Sequence, residues 1–108
     1  MKKVVKTNET KTIVLSDLVS RKILAYGSDM MAVEVSFEQG GIGDPHSHPH
    51  AQITYVLEGK FIFDTPEGSY PVEKGDSLYF APDSVHGAKC LEKGKVLDVF
   101  TPLREDFI

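Results

Sequence analysis

Three histidines crowd into the stretch Gly40–Gly59, GGIGDPHSHPHAQITYVLEG, at positions 46, 48 and 50, with Gln52 close behind. In extended backbone, residues two apart face the same side. His46 and His48 therefore put two imidazoles on one face beside a loop, and such a pair can share one metal ion. The fourth histidine, His86, follows the strand-like run Ser77–Phe80 in a second loop, SVHGAK. The rest of the chain is expected to carry His86 across to His46 and His48 and to wall a pocket around them.

A chain of 108 residues is the size of one domain, taken here as 1–108, with the polar segment 1–11 loosely held. At 41% hydrophobic and 26% charged residues, it can bury one core. A net charge of -4 gives no reason to expect nucleic acid or an anionic membrane as partner. No apolar run approaches the length of a membrane span. No apolar core follows the basic opening MKKVVKTNETK, so a secretory signal is not expected and the cytoplasm is the default location. Cys90 is the single cysteine, which leaves no internal disulfide and no thiolate cluster within one chain. A transition-metal site must then combine histidine with oxygen ligands.

The elements that must position these residues read as short strands between turns. Strands are expected at Lys22–Tyr26, Met30–Phe37, Ile53–Leu57, Phe61–Phe63, Ser69–Glu73, Leu78–Phe80, Ala88–Leu91 and Lys95–Thr101. In the second of these, Met31, Val33, Val35 and Phe37 share one face. Gln39–Pro45, with three glycines and a proline, reads as a loop, and Glu58-Gly59-Lys60 and Glu92-Lys93-Gly94 read as turns. No segment has helical periodicity. The regular spacing of short strands points to an all-β fold, a double-sheet jelly roll closed into a small barrel.

At this point the residues match a family pattern. Gly40, His46, His48, Gln52 and Gly59 stand at the spacing of the first cupin motif, G-x5-H-x-H-x3-4-E-x6-G, with glutamine in place of glutamate. Gly75 and His86 fall in register with the second motif, G-x5-P-x-G-x2-H-x3-N, where Ala81, Asp83 and Cys90 replace its proline, glycine and asparagine. The chain thus resembles the single-domain cupins, which are double-stranded β-helix (jelly-roll) barrels. The resemblance implies metal ligands at His46, His48, Gln52 and His86. The segments RKILAY, DMMAVEVSFEQGGIG, HSHPHAQITYV, GDSLYFAPDSVHG and VLDVFTPLREDFI resemble the KdgF family of pectin and alginate breakdown. That family converts 4,5-unsaturated monouronates, left by polysaccharide lyases, into the open-chain 4-deoxy-5-keto uronate. Its catalytic Asp, Phe and Arg fall on Asp98, Phe100 and Arg104.

Chemistry supplies a second view of the same residues. With Gln52 the set is three imidazoles and one neutral amide, so a divalent ion, Zn, Ni, Fe or Mn, keeps its full positive charge for Lewis-acid work. The usual iron oxygenase site includes a carboxylate ligand, which counts against oxygen activation here. Within Val96–Phe100 both faces carry apolar side chains, and Asp98 lies among them. Burial raises a carboxyl pKa toward neutrality, as a general acid/base requires; the other reading is an edge aspartate or one paired to lysine. Arg104 suits bidentate capture of a carboxylate, or else pairs with Glu105 or Asp106 in a solvated tail. Phe100 is either plain core or a wall of the sugar pocket, where it joins Gln52 and Arg104 around the substrate. His50 is expected outside the ligand set, Cys90 as a small buried hydrophobe, and Phe107-Ile108 against the barrel or a partner. The resemblance also implies a homodimer. The rival readings are another metal-binding cupin, a dioxygenase or sugar isomerase, and a non-catalytic module for a sugar acid.

Overall fold

A computed structural model describes residues 4–108. The strands are β1 (Ile13–Val14), β2 (Val19–Tyr26), β3 (Met31–Phe37), β4 (Ile42–His46), β5 (Ala51–Thr65), β6 (Gly68–Glu73), β7 (Ser77–Phe80) and β8 (His86–Thr101). All pairings are antiparallel. Two 3-10 turns, Thr7–Glu9 and Glu105–Phe107, flank them. The first lies in the segment expected to be loosely held, of which residues 1–3 fall outside the described residues. Among the described residues no helix is long and apolar enough to cross a membrane.

The all-β jelly roll is built on β5 and β8, which pair along almost their whole length, from Ala51↔Thr101 to Asp64↔Gly87. Each serves two half-sheets. Their halves 51–58 and 94–101 belong to the larger one, flanked by β7 on the β5 side and by β3, β2 and β1 on the β8 side. Their halves 60–65 and 86–92 belong to the smaller one, flanked by β6 and β4. Two segments read as turns, 58–60 and 92–94, are therefore the corner where paired strands bend from one half-sheet into the other. The register shifts there, at Val56/Glu58, Glu58/Lys60 and Lys60/Phe61.

Glycine is required at that corner because the two backbones touch. Gly59 has φ 85, and a Cβ on it would lie 2.5 Å from the Lys93 carbonyl oxygen. A Cβ on Gly94 would run into the Glu58 carbonyl oxygen and lie 2.8 Å from the Gly59 Cα. Neither obstacle is a flexible side chain that can turn aside. We expect Gly94→Ala to cost about 3 kcal/mol, the upper range for overpacking, and to lower the melting temperature by more than about 10 °C. A thermal melt within about 2 °C of the wild type would show that the two strands do not press together here.

The alternation in β3 buries Met31, Val33 and Phe37 as expected. One apolar cluster (Val19, Phe37, Val56, Phe61, Phe63, Phe80, Cys90, Val96) fills the space between the half-sheets, with Phe37 edge-on to Phe61 at 5.1 Å. Cys90 is part of it, as a buried hydrophobe. A second cluster joins Met31, Val33 and Phe100.

One stretch departs from the sequence reading in a way that matters for the site. Residues 42–46 form a strand, not a loop: Ile42 pairs with Lys89, Gly43 with Ala88 and His46 with His86. An edge strand with an irregular register tolerates Gly43 and Pro45, since one side of its backbone needs no partner.

Candidate metal centre

The β4–β8 pairing sets His46 directly opposite His86, and their ring centroids are 4.7 Å apart. His48, just past the end of β4, brings its ring to 5.5 Å from His46 and 5.3 Å from His86. One ligand-type nitrogen from each of the three lies within 4.8 Å of the others. The centre sits where the two apolar clusters meet. His86 stacks on Phe80 of the first at 4.3 Å, and His48 stands edge-on to Phe100 of the second at 5.5 Å.

Backbone carbonyls orient two of the rings. His46 Nδ1–H donates to the Asp44 carbonyl at 2.9 Å, and His86 Nδ1–H to that of Ser84 at 3.1 Å. Each bond fixes the tautomer and leaves Nε2 with a free lone pair. The second loop is itself tied to the histidine stretch, for Asp83 N–H donates to the His48 carbonyl at 2.8 Å. Asp83 has φ 65, the left-handed conformation. It occupies the place where the second motif has glycine, and a short polar side chain tolerates that conformation better than most.

Several features fit a metal ion. His86 Nε2 is buried with no hydrogen-bond partner among the described residues, a costly state unless something binds there. Burial pushes the His86 pKa down to about 4, against the raising effect of its bond to Ser84. Burial and then the Arg104 charge lower that of His48. Neutral imidazole is the ligating form, so both rings stand ready to bind.

Gln52 joins this centre to an acid. Its Oε1 lies 2.9 Å from His48 Nε2, while its Nε2 donates to Thr54 Oγ1 at 2.9 Å and to Asp98 Oδ1 at 3.2 Å. Thr54, fully buried, donates its hydroxyl to the same Asp98 oxygen at 2.7 Å. Asp98 faces the interior between Val33 and Thr54, its register partners on β3 and β5. It is neither at an edge nor paired to a lysine among the described residues. Desolvation raises its pKa to about 6, although the bonds from Thr54 and Gln52 and the charge of Arg104 pull the other way.

The remaining expected residues close the same cavity, of about 260 Å³, whose lining includes His46, Gln52, His86, Asp98, Phe100 and Arg104. Pockets for drug-sized ligands start near 300 Å³, so a monosaccharide suits this one. Phe100 is both core, at 2% exposure, and wall. Arg104 is not solvated: its side chain is 11% exposed, and its Nε and one terminal nitrogen bond Asp106 at 3.3 and 2.8 Å. His50 stays outside the three-histidine group; its Nε2–H donates to the Leu103 carbonyl at 3.0 Å and so fastens the C-terminal segment. Phe107 packs on Phe100, while Ile108 is exposed.

Two members of the site escape the sequence reading. Thr54 follows Gln52 by two, so it shares its face, a signal present in the alternation. Arg21 also lines the cavity. It precedes by one residue the start expected for its strand, and the extended alternation Val19, Arg21, Ile23 would have turned it inward.

The comparisons agree with this geometry. The Cupin domain model matches residues 33–100. Over 103 residues the chain is 39% identical to the pectin degradation protein KdgF of Dickeya dadantii (strain 3937), covering 94% of each. The structure of KdgF from Halomonas sp. superposes with a TM-score of 0.93 at 33% identity, covering all of both chains. An RmlC-like cupin from Shewanella frigidimarina superposes at 0.95 with 31% identity, covering 100% of this chain and 97% of the other.

Proposed function

From the premise that the chain belongs to the cupin domain family, we propose that it is a metal-dependent enzyme that opens 4,5-unsaturated monouronates to the linear 4-deoxy-5-keto uronate. One observation carries the proposal: in a chain similar to KdgF along nearly its whole length, a group of three histidines meets a cavity of about 260 Å³ that two of them, His46 and His86, line together with Asp98 and Arg104. His46, His48, His86 and the Gln52 amide oxygen would hold one divalent transition ion. Bound there, it supplies positive charge to the oxygen that becomes anionic as the ring opens.

The substrate is an enol ether through its ring oxygen and a hemiacetal at C1. Removing the C1 hydroxyl proton lets the bond from C1 to the ring oxygen break, which gives an aldehyde at C1 and an enolate at C5; the same proton added at C4 completes the 5-ketone. Asp98 moves the proton. The hydrogen bonds from Gln52 and Thr54 both end on Oδ1, so Oδ2 is the atom that accepts and returns it. A carboxyl raised to about 6 is matched to that task. Phe100 walls the pocket, and Arg104 presents its remaining terminal nitrogen to the substrate carboxylate. Arg104→Ala is expected to raise KM about 10- to 100-fold, the worth of a charge-assisted hydrogen bond, with kcat changed less. Unchanged kinetics would remove Arg104 from substrate binding.

The proposal includes a homodimer and a cytoplasmic location. A dimer is supported by an apolar outer face on the larger half-sheet, where Ile53, Tyr55 and Tyr79 are 52%, 42% and 66% exposed. The reaction is tested by proton NMR in heavy water with metal-loaded protein and 4,5-unsaturated galacturonate. The C4 vinyl signal is expected to vanish faster than in the enzyme-free blank, with deuterium entering at C4. Loss at the blank rate would reject the proposal.

A further inference from the structure

Val19, Arg21 and Ile23 alternate along β2, and the first and last belong to the apolar interior. Arg21 therefore stands on an apolar inward face, opposite Val35 of β3. A cation in such a place needs a partner. Among the described residues it has none: no carboxylate lies within ion-pair distance, and its buried Nε bonds no acceptor. Its contact is aromatic. The Arg21 guanidinium carbon lies 3.7 Å from the centroid of Phe107, and that of Arg104 lies 4.0 Å from the same ring. Two cations thus flank one ring and line one cavity with Asp98 and His46. Among the described residues the side-chain partner of the Asp106 carboxylate is Arg104. Burial and then the Arg104 charge lower the Arg21 pKa, with Asp106 opposing, yet a guanidinium stays charged in proteins.

Resting on the uronate reading above, we infer that Arg21 is a second substrate-binding residue, which with Arg104 clamps the carboxylate of the sugar acid and makes the pocket select acids over neutral sugars. Arg104 has part of its fork occupied by Asp106, whereas Arg21 keeps its own for the ligand. The planar fork, stacked on Phe107, is already held in place, so little side-chain freedom is lost on binding. An incoming carboxylate also relieves the repulsion between the two cations, a gain that a neutral sugar cannot offer.

The test uses the full metal-loaded chain and the unreactive probe galacturonate, with binding followed by calorimetry and turnover measured on the unsaturated uronate. Arg21→Gln is expected to weaken galacturonate binding and raise KM about 10- to 100-fold, one charge-assisted contact, with kcat within about threefold. Arg21→Lys, which keeps charge and stem but not the fork, should fall between Arg21→Gln and the wild type, and carries the test if Arg21→Gln does not fold. A melting temperature that tracked these losses would mark a structural role and overturn the inference. So would binding and KM within twofold of wild type in Arg21→Gln, or in Arg21→Lys where that variant stands in, while the wild type remained active; the uronate reading would then stand. A wild-type protein that neither binds galacturonate nor consumes the unsaturated uronate overturns both.

Discussion

Asp98→Asn is expected to lower turnover by about 10²- to 10⁴-fold, the range of a lost general acid/base, while the protein folds and holds its metal. The substitution is nearly isosteric. The amide oxygen of the new side chain would still accept the hydrogen bonds that Thr54 and Gln52 now make to Oδ1. The Gln52 amide therefore stays oriented with its oxygen toward His48. What disappears is an oxygen able to take up and return a proton. Removing the half-buried carboxyl also removes its desolvation cost, so the melting temperature should hold or rise. Parallel measurements of turnover, metal content and melting separate the causes. Turnover near the wild-type value would take Asp98 out of the reaction, and metal loss in step with turnover would make it a support for Gln52.

His86→Ala should weaken metal binding by at least about 100-fold, beyond the 10- to 100-fold typical of losing an outer hydrogen-bond partner. Among the described residues its buried Nε2 has no hydrogen-bond partner, while Nδ1 is spent on the Ser84 carbonyl. The ring has one nitrogen left to offer and no other polar use for it. His50→Ala is the matching control. Its Nε2–H holds the Leu103 carbonyl, so its loss should disturb the C-terminal segment and spare the metal. A chelator-competition titration reads both variants. Wild-type affinity in His86→Ala would exclude His86 from the ligand set.

Much of the site is legible without the fold, because it depends on local patterns. Met31, Val33, Val35 and Phe37 mark an inward face by alternation alone. His46, Gln52 and His86 stand at fixed offsets from glycines that shape their turns. Asp98 is conspicuous as a carboxylate inside an apolar run. What the sequence hides depends on approaches between distant segments. Gly59 and Gly94 look like turn residues, and only the crossing of β5 and β8 makes them the points where two backbones touch. Gly43 and Pro45 suggest a loop, yet β8 offers an edge that accepts them as strand. Arg21 escapes notice because an arginine at a strand end reads as solvated. Its role shows only when Phe107, from the far end of the chain, comes to rest against it.

The most direct test of the central claim follows the absorbance of freshly generated 4,5-unsaturated galacturonate in the presence of metal-loaded protein. The predicted result is loss of the unsaturated band well above the spontaneous rate, abolished by a chelator and restored when a divalent transition metal is returned. Loss at the spontaneous rate, from protein shown to carry metal, would contradict it.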